Sequence, residues 1–191
     1  EDEQRKQLAL YTVLAEASFC IGDGNGAEKY AEEIINCDHF TFDDKYLGYV
    51  MKMLSQFAQH RLDQAMKMAL FILNELGFFK NVPLVPSTLR VFTEIVKTKT
   101  LLKKYSQDEL LNLPFMTNRN RLRAADIICR ITSVAFSGYP NLFLVLSLTA
   151  MRWTVKYGVS KYSPPIFAVY GLVVCGLLED FDHGTMIGEV A

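Results

Sequence analysis

Apolar residues return every three or four positions along almost the whole chain, and strict alternation is scarce. That period is the signature of helices with one buried face, not of strands. Residues 4–20 place Leu8, Tyr11, Leu14, Ala15 and Ser18 on one face, and residues 26–37 answer with Ala27, Tyr30, Ala31 and Ile34. Residues 44–59 repeat the first kind of helix through Tyr46, Tyr49, Val50, Met53, Leu54 and Phe57. Residues 62–77 repeat the second, from Leu62 through Ala65, Met66, Ala69 and Ile72 to Leu76, with Gly77 as the C-terminal stop. The stretch from Asn81 to Pro86 reads as a loop, and Ser87 as the N-cap of a helix over residues 88–103. Ser106-Gln107-Asp108-Glu109 has the spacing of a capping box and opens a short turn through Leu113, which Pro114 ends. Helices over residues 119–137, 141–157 and 164–178 follow, and a last one begins near Asp182. The expected fold is all-α, with about nine helices.

The loop Gly22-Asp23-Gly24-Asn25-Gly26 decides between two kinds of protein. A phosphate cradle follows a strand and carries a Lys-Ser or Lys-Thr pair for the phosphates and the metal. Here the preceding residues are helical, and Ala27-Glu28-Lys29 follow. A dinucleotide fingerprint fails in the same context. A calcium loop starting at Asp23 would need an oxygen ligand at position 5 and glycine at position 6, where the chain has Ala27 and Glu28. The remaining reading is a helical hairpin. Gly22 takes the left-handed conformation that ends one helix, Asp23 caps the next, and the small Ala27 lets the two approach. The pattern returns at His60-Arg61-Leu62-Asp63-Gln64-Ala65, with Ala65 standing 38 residues after Ala27. It returns again at Glu179-Asp180-Phe181-Asp182-His183-Gly184, with Gly184 as the small residue. The 119 residues from Ala65 to Gly184 leave room for about three further units of that size. A period of 34–40 residues built from helix pairs is the mark of tetratricopeptide-like arrays.

Two charge-free runs raise the question of a membrane. The 21 residues between Arg130 and Arg152 are interrupted by Ser-Gly-Tyr-Pro-Asn, a turn. The 17 between Lys161 and Glu179 open on Pro164-Pro165 and fall short of a span. Both are expected to be buried helices, with no membrane insertion. The net charge of −1 argues against a nucleic-acid surface. Four scattered cysteines without a CxxC pair do not make a disulfide framework, and they suit a reducing, cytoplasmic setting.

Candidate chemistry is sparse. The three histidines, His39, His60 and His183, form no metal-ligand spacing. Cys37-Asp38-His39 reads as a helix-end loop. Asp43-Asp44 reads as first-turn charge complementing a helix dipole, and Asp180 and Asp182 as turn and cap residues. Lys97, Lys99, Lys103 and Lys104 form a solvated helix face. Arg119, Arg121 and Arg123 are the candidate docking surface, for a neighbouring domain or an anion. Gly22, Asp23, Ala27, Asp63, Ala65, Asp182 and Gly184 are the repeat-turn and helix-packing residues. No catalytic, cofactor-binding or metal-ligating residue is assigned, and no cofactor is expected.

The first unit, through Tyr11, Leu14, Ala15, Gly22, Ala27 and Ala31, resembles a degenerate tetratricopeptide repeat. The stretches Leu110–Thr117, Tyr157–Ser160 and Leu172–Asp182 resemble the helical region of very large signalling proteins. Those proteins join a Ser/Thr-kinase-like domain, an ATPase of the STAND/AAA type, helical repeats, a GAF domain and a histidine kinase. The likeness extends over nearly the whole chain, although His183 and Thr185-Met186 stand where the pattern carries a small and then an aromatic residue. The resemblance implies a single tetratricopeptide-like α/α superhelix over residues 1–191, a segment of a longer multidomain protein. Its implied function is that of a non-catalytic sensor and protein-interaction arm in signal transduction. Its partners would be a protein or the neighbouring ATPase and kinase domains of the same chain. The alternative is a free-standing scaffold that binds a peptide or protein in its groove.

Overall fold

The structure, a computed structural model, describes residues 2–191, the side chains of Asp2 and Gln4 excepted. It is all-α, with ten helices among the described residues: α1 (Asp2–Cys20), α2 (Gly24–Ile35), α3 (Phe42–Ala58), α4 (Leu62–Glu75), α5 (Thr88–Leu102), α6 (Gln107–Leu111), α7 (Arg119–Gly138), α8 (Pro140–Tyr157), α9 (Ser163–Leu178) and α10 (Phe181–Val190). No helix among the described residues is long and apolar enough to cross a membrane. The chain divides into two compact units, Glu1–Lys80 and Asn81–Ala191.

In the first unit α1 packs on α2 and α3, and α3 on α4. Small residues set these crossings. Ala15, Ala27, Ala31, Ala65 and Ala69 are fully buried, with Met53, Met66 and Ile72 filling the space they leave. Gly48 goes further, since a Cβ there would lie 2.8 Å from Cγ2 of Ile34 on α2. The periodic pattern does not single Gly48 out, because a glycine on an apolar face looks the same whether or not another helix touches it.

The hairpin turn recurs in its backbone. Gly22, His60 and Glu179 have φ of 82°, 59° and 53°. The residues after them, Asp23, Arg61 and Asp180, have φ of −81°, −85° and −100° and ψ of 79°, 61° and 75°. Asp23 N–H donates to the Ser18 carbonyl at 2.9 Å and Arg61 N–H to that of Gln56 at 2.8 Å. These are the long bonds that close a Schellman end. The side chain of Asp23 caps α2 by accepting the Gly26 N–H at 2.9 Å. That bond draws Gly24 and Gly26 into the first turn, so α2 begins two residues before the periodicity places it. Asp180 does the same for α10 at His183.

Asp63 and Asp182 are not the capping residues of their helices. They lie in the first turns of α4 and α10, where their charge complements the helix dipole, and the capping positions belong to Arg61 and Asp180. Arg61 offers α4 no acceptor. Its guanidinium instead reaches Glu28 on α2 and Gln59. Glu28 is half-buried; burial pushes its carboxyl up, but bonds from Arg61 and Gln56 hold it below the ordinary range.

His60 holds a left-handed conformation that costs a non-glycine residue about 1 kcal/mol, and its side chain is exposed. His60→Gly is therefore expected to stabilise the first unit by about 1 kcal/mol, read as a higher urea midpoint at unchanged slope. No gain would mean that the turn is not held in this geometry.

Of the further units that the spacing suggests, α7–α8 and α9–α10 are helix pairs, and the first, after α4, is incomplete. After α5 comes only the five-residue α6, with its capping box between Ser106 and Glu109, and then an irregular run from Asn112 to Asn118. Lacking a partner next in sequence, α5 packs on α8. The α7–α8 hairpin turns at Tyr139, with φ −138° and Pro140 as the first helical residue, and has no left-handed residue. Pro114–Met116 instead pairs with Val159 in an isolated parallel bridge. Met116 N–H donates to the Val159 carbonyl and Val159 N–H to that of Pro114, each at 2.7 Å. Two of the stretches that carry the resemblance thus meet in space.

Candidate functional site

The charge-free runs of the sequence build the main concavity. α7 and α9 both pack on α8, and on each other hardly at all, which leaves a groove between them with α8 as its floor. Two adjoining cavities of about 310 and 350 Å³ share Phe136, Phe143 and Leu172 and run along it. On α7 the wall runs from Ile128 and Cys129 through Thr132 to Phe136. On α9 it runs from Pro165 and Ile166 through Val169 and Leu172 to Gly176 and Leu177. The floor is Phe143, Ser147 and Ala150, with Pro140 and Leu144 towards the turn. None of these side chains is charged. The rim is open: Phe136, Leu172 and Leu177 are 57%, 55% and 52% exposed. The ring of Phe136 meets that of Phe143 edge-on at 5.2 Å.

The two ends of the groove differ. At the α9 N-terminus the walls converge, with Cys129 Sγ 3.8 Å from the Tyr162 carbonyl. Burial pushes the Cys129 thiol up to about 11, with Asp126 adding to the shift and Arg130 opposing it. It is therefore a protonated thiol at neutral pH and no nucleophile. The hydroxyl of Thr132 donates to the carbonyl of Ile128 on its own helix at 2.6 Å. At the other end α7 and α9 both present their C-termini, and Glu179 stands exposed just past Leu177.

Behind the floor, α8 is fastened to α5. Arg152 bonds to the carboxylate of Glu94, to the Glu94 carbonyl at 3.2 Å, to Thr98 Oγ1 at 2.7 Å and to Thr149 Oγ1 at 3.1 Å. Burial pushes the Glu94 carboxyl up, but the Arg152 charge and hydrogen bonds, helped by Lys97, hold it below the ordinary range. Lys99 reaches Asp180 at 3.3 Å and ties α5 to the α9–α10 turn.

The sequence-selected residues fall elsewhere. Arg119, Arg121 and Arg123 lie in the first turns of α7; Arg119 and Arg123, four apart, share one face, and Arg121, two from each, points another way. Arg121 lies over the ring of Tyr157, 3.6 Å from its centroid. Arg119 is exposed and Arg123 half-buried, and all three are engaged with neighbours. Gly22, Asp23, Ala27, Asp63 and Ala65 shape hairpins of the first unit, and Asp182 and Gly184 the last hairpin. At Gly184 an added Cβ would overlap Cys175 Sγ, so a larger residue there requires the Cys175 side chain to turn aside. His183 stacks edge-on against Tyr170, and burial lowers its pKa although Asp180 opposes this. Cys37 lines a separate cavity of about 190 Å³ with Tyr11 and Phe40 in the first unit. Among the described residues no three His, Cys, Asp or Glu side chains come together as a metal site.

Phe136, Phe143, Leu172 and Leu177 lie in the two charge-free runs that the sequence reads only as buried helices. The available signal was that two charge-free runs flank one turn, more apolar surface than a single hairpin can cover. Comparison with protein-family models, with curated proteins and with solved structures finds no match to this chain.

Proposed function

We propose that this chain is a non-catalytic protein-interaction arm that works through the open groove of α7, α8 and α9. The observation that carries this reading is a charge-free apolar concavity whose rim residues Phe136, Leu172 and Leu177 stand half in solvent. A concavity of that kind gains free energy by covering apolar surface. The resemblance supplies the setting: a cytoplasmic, multidomain signalling protein whose STAND-type ATPase is held inactive until a partner or ligand takes the arm. The change would be a shift in population between docked and released arms, driven by the partner's preference for one of them.

The test is nucleotide hydrolysis by the parent protein, with and without residues 1–191. Hydrolysis that rises on deletion supports autoinhibition by the arm. Unchanged hydrolysis overturns the regulatory part and leaves the plain scaffold, which binds a peptide or protein in the groove.

A further inference from the structure

We infer that the groove takes an amphipathic α-helix of a partner protein, running antiparallel to α7 and α9, with its N-terminus at the Leu177 end. This rests on reading the chain as an interaction arm and names the partner's chemistry.

Three observations select a helix. The first is shape. From Pro165 to Leu177 the α9 wall spans thirteen residues, and their twelve rises make roughly 18 Å or about three helical turns. The concavity is an open trough, whereas sites for small molecules enclose most of their ligand. The second is backbone satisfaction. An extended peptide would press a row of N–H and C=O groups against a lining without charges, whose few hydroxyls, Thr132, Ser133 and Ser147, cannot pair them all. A helix satisfies its backbone internally and presents only side chains. The third is polarity. Helix ends offset one another at the open end, where the N-termini of α8 and α10 stand beside the C-termini of α7 and α9, so side-chain charge decides: Glu179 is exposed there, while Lys161 stands exposed just before α9 at the closed end, where Asp126 is already paired with Arg130. The positive N-terminal end of an incoming helix belongs at the open end. That orientation is antiparallel to both walls, the same relation each wall has to α8.

The probe is a side-chain-stapled Ala-based helix of about 15 residues, with leucines at i, i+4, i+7 and i+11 on one face. It carries lysines at its N-terminal end and glutamates at its C-terminal end. A second peptide has the same leucines and staple with the charges exchanged. Binding of both to the whole 191-residue chain is read by fluorescence anisotropy. The first peptide is expected to bind more tightly than the second. Phe136→Glu and Leu172→Glu, both at exposed positions, are each expected to weaken it roughly tenfold or more. Phe92→Glu, on the exposed face of α5, should leave binding unchanged.

Equal binding of the two peptides overturns the orientation. Binding of dodecanoate, but of neither peptide, makes the groove an acyl-chain site and overturns the helix. Sedimentation showing self-association that Phe92→Glu and Phe136→Glu both abolish would seat α5 of a second copy there and overturn a separate partner. The parent carrying Phe136→Glu separates this inference from the proposed function. Peptide binding with hydrolysis indifferent to that change and to the deletion sinks regulation alone. Hydrolysis that responds to the deletion, without peptide binding, sinks the helix alone.

Discussion

Arg152→Ala is expected to cost the second unit about 3–5 kcal/mol, because it leaves the Glu94 carboxylate buried without its counter-charge. The side chains of Glu94 and Arg152 are 11% and 18% exposed, so little water can replace the lost partner. The guanidinium also satisfies the Thr98 and Thr149 hydroxyls, which lose a donor in the same step. The sign of the pH dependence inverts with the mutation. In the wild type the Glu94 carboxyl is held below its unfolded value. Its contribution is therefore complete above the unfolded carboxylate pKa and is lost as pH falls through the lower folded value. Without Arg152, burial is the dominant influence and raises the folded value above the unfolded one. The variant then gains stability relative to wild type as pH falls towards the carboxylate range. Urea denaturation followed by Trp153, the single tryptophan and a residue of α8, reads this unit directly. A loss below about 1 kcal/mol at neutral pH would mean a solvated surface pair. Glu94→Leu combined with Arg152→Met is expected to recover most of the loss, since an apolar pair of similar volume needs no compensation.

Gly158→Ala is expected to cost about 3 kcal/mol or more, for two separate reasons. Gly158 has φ 107° and ψ 169°, a region open essentially to glycine alone, where any other residue is strained by about 1–3 kcal/mol. In addition, a Cβ would lie 2.3 Å from the Pro114 carbonyl oxygen and 2.9 Å from the Met116 nitrogen. These are backbone atoms, which cannot turn aside. They are also atoms of the bridge, so relief requires breaking the 2.7 Å bonds between Val159 and the Pro114–Met116 run. That run covers the end of α8, and Arg121 lies over the neighbouring Tyr157. Amide exchange should show Val159 and Met116 losing protection first, followed by a lower urea midpoint for the unit. Unchanged protection at Met116 would sink the account. Gly22→Ala is the useful contrast. Gly22 also has positive φ, but no atom lies within 4 Å of the place its Cβ would take. Only the conformational cost of about 1 kcal/mol applies there.

The helices were legible because their causes are local. The 3.6-residue period, Ser87 and Ser106 at two helix starts, and Pro114 as a stop each act within one or two turns of the chain. The hairpin signature was legible for the same reason. Left-handed Gly22, capping Asp23 and small Ala27 lie within six residues, and the turn kept its shape when His60 and Arg61 took the first two places. The sequence could not tell Asp180 from Asp182 as the cap of α10, because any acid near a helix start satisfies the pattern, and only the backbone shows which residue stands at the boundary. Spacing did not show that the unit after α4 is incomplete, because it only counts residues, while α6 closes after five and Pro114 diverts the chain into the bridge.

By itself, then, the sequence determined an all-α protein, the place of almost every helix, and the turn that recurs at residues 22–27, 60–65 and 179–184. Only the tertiary structure decided which helices meet. Nothing near Glu94 announces Arg152, 58 residues away, and nothing near Gly158 announces Pro114. The groove exists because α7 and α9 share α8 and leave a gap between themselves. Periodicity says that a face is apolar, but an apolar face looks the same in sequence whether a neighbour covers it or a trough opens beside it. Coverage depends on the paths of three helices at once, and that information is non-local.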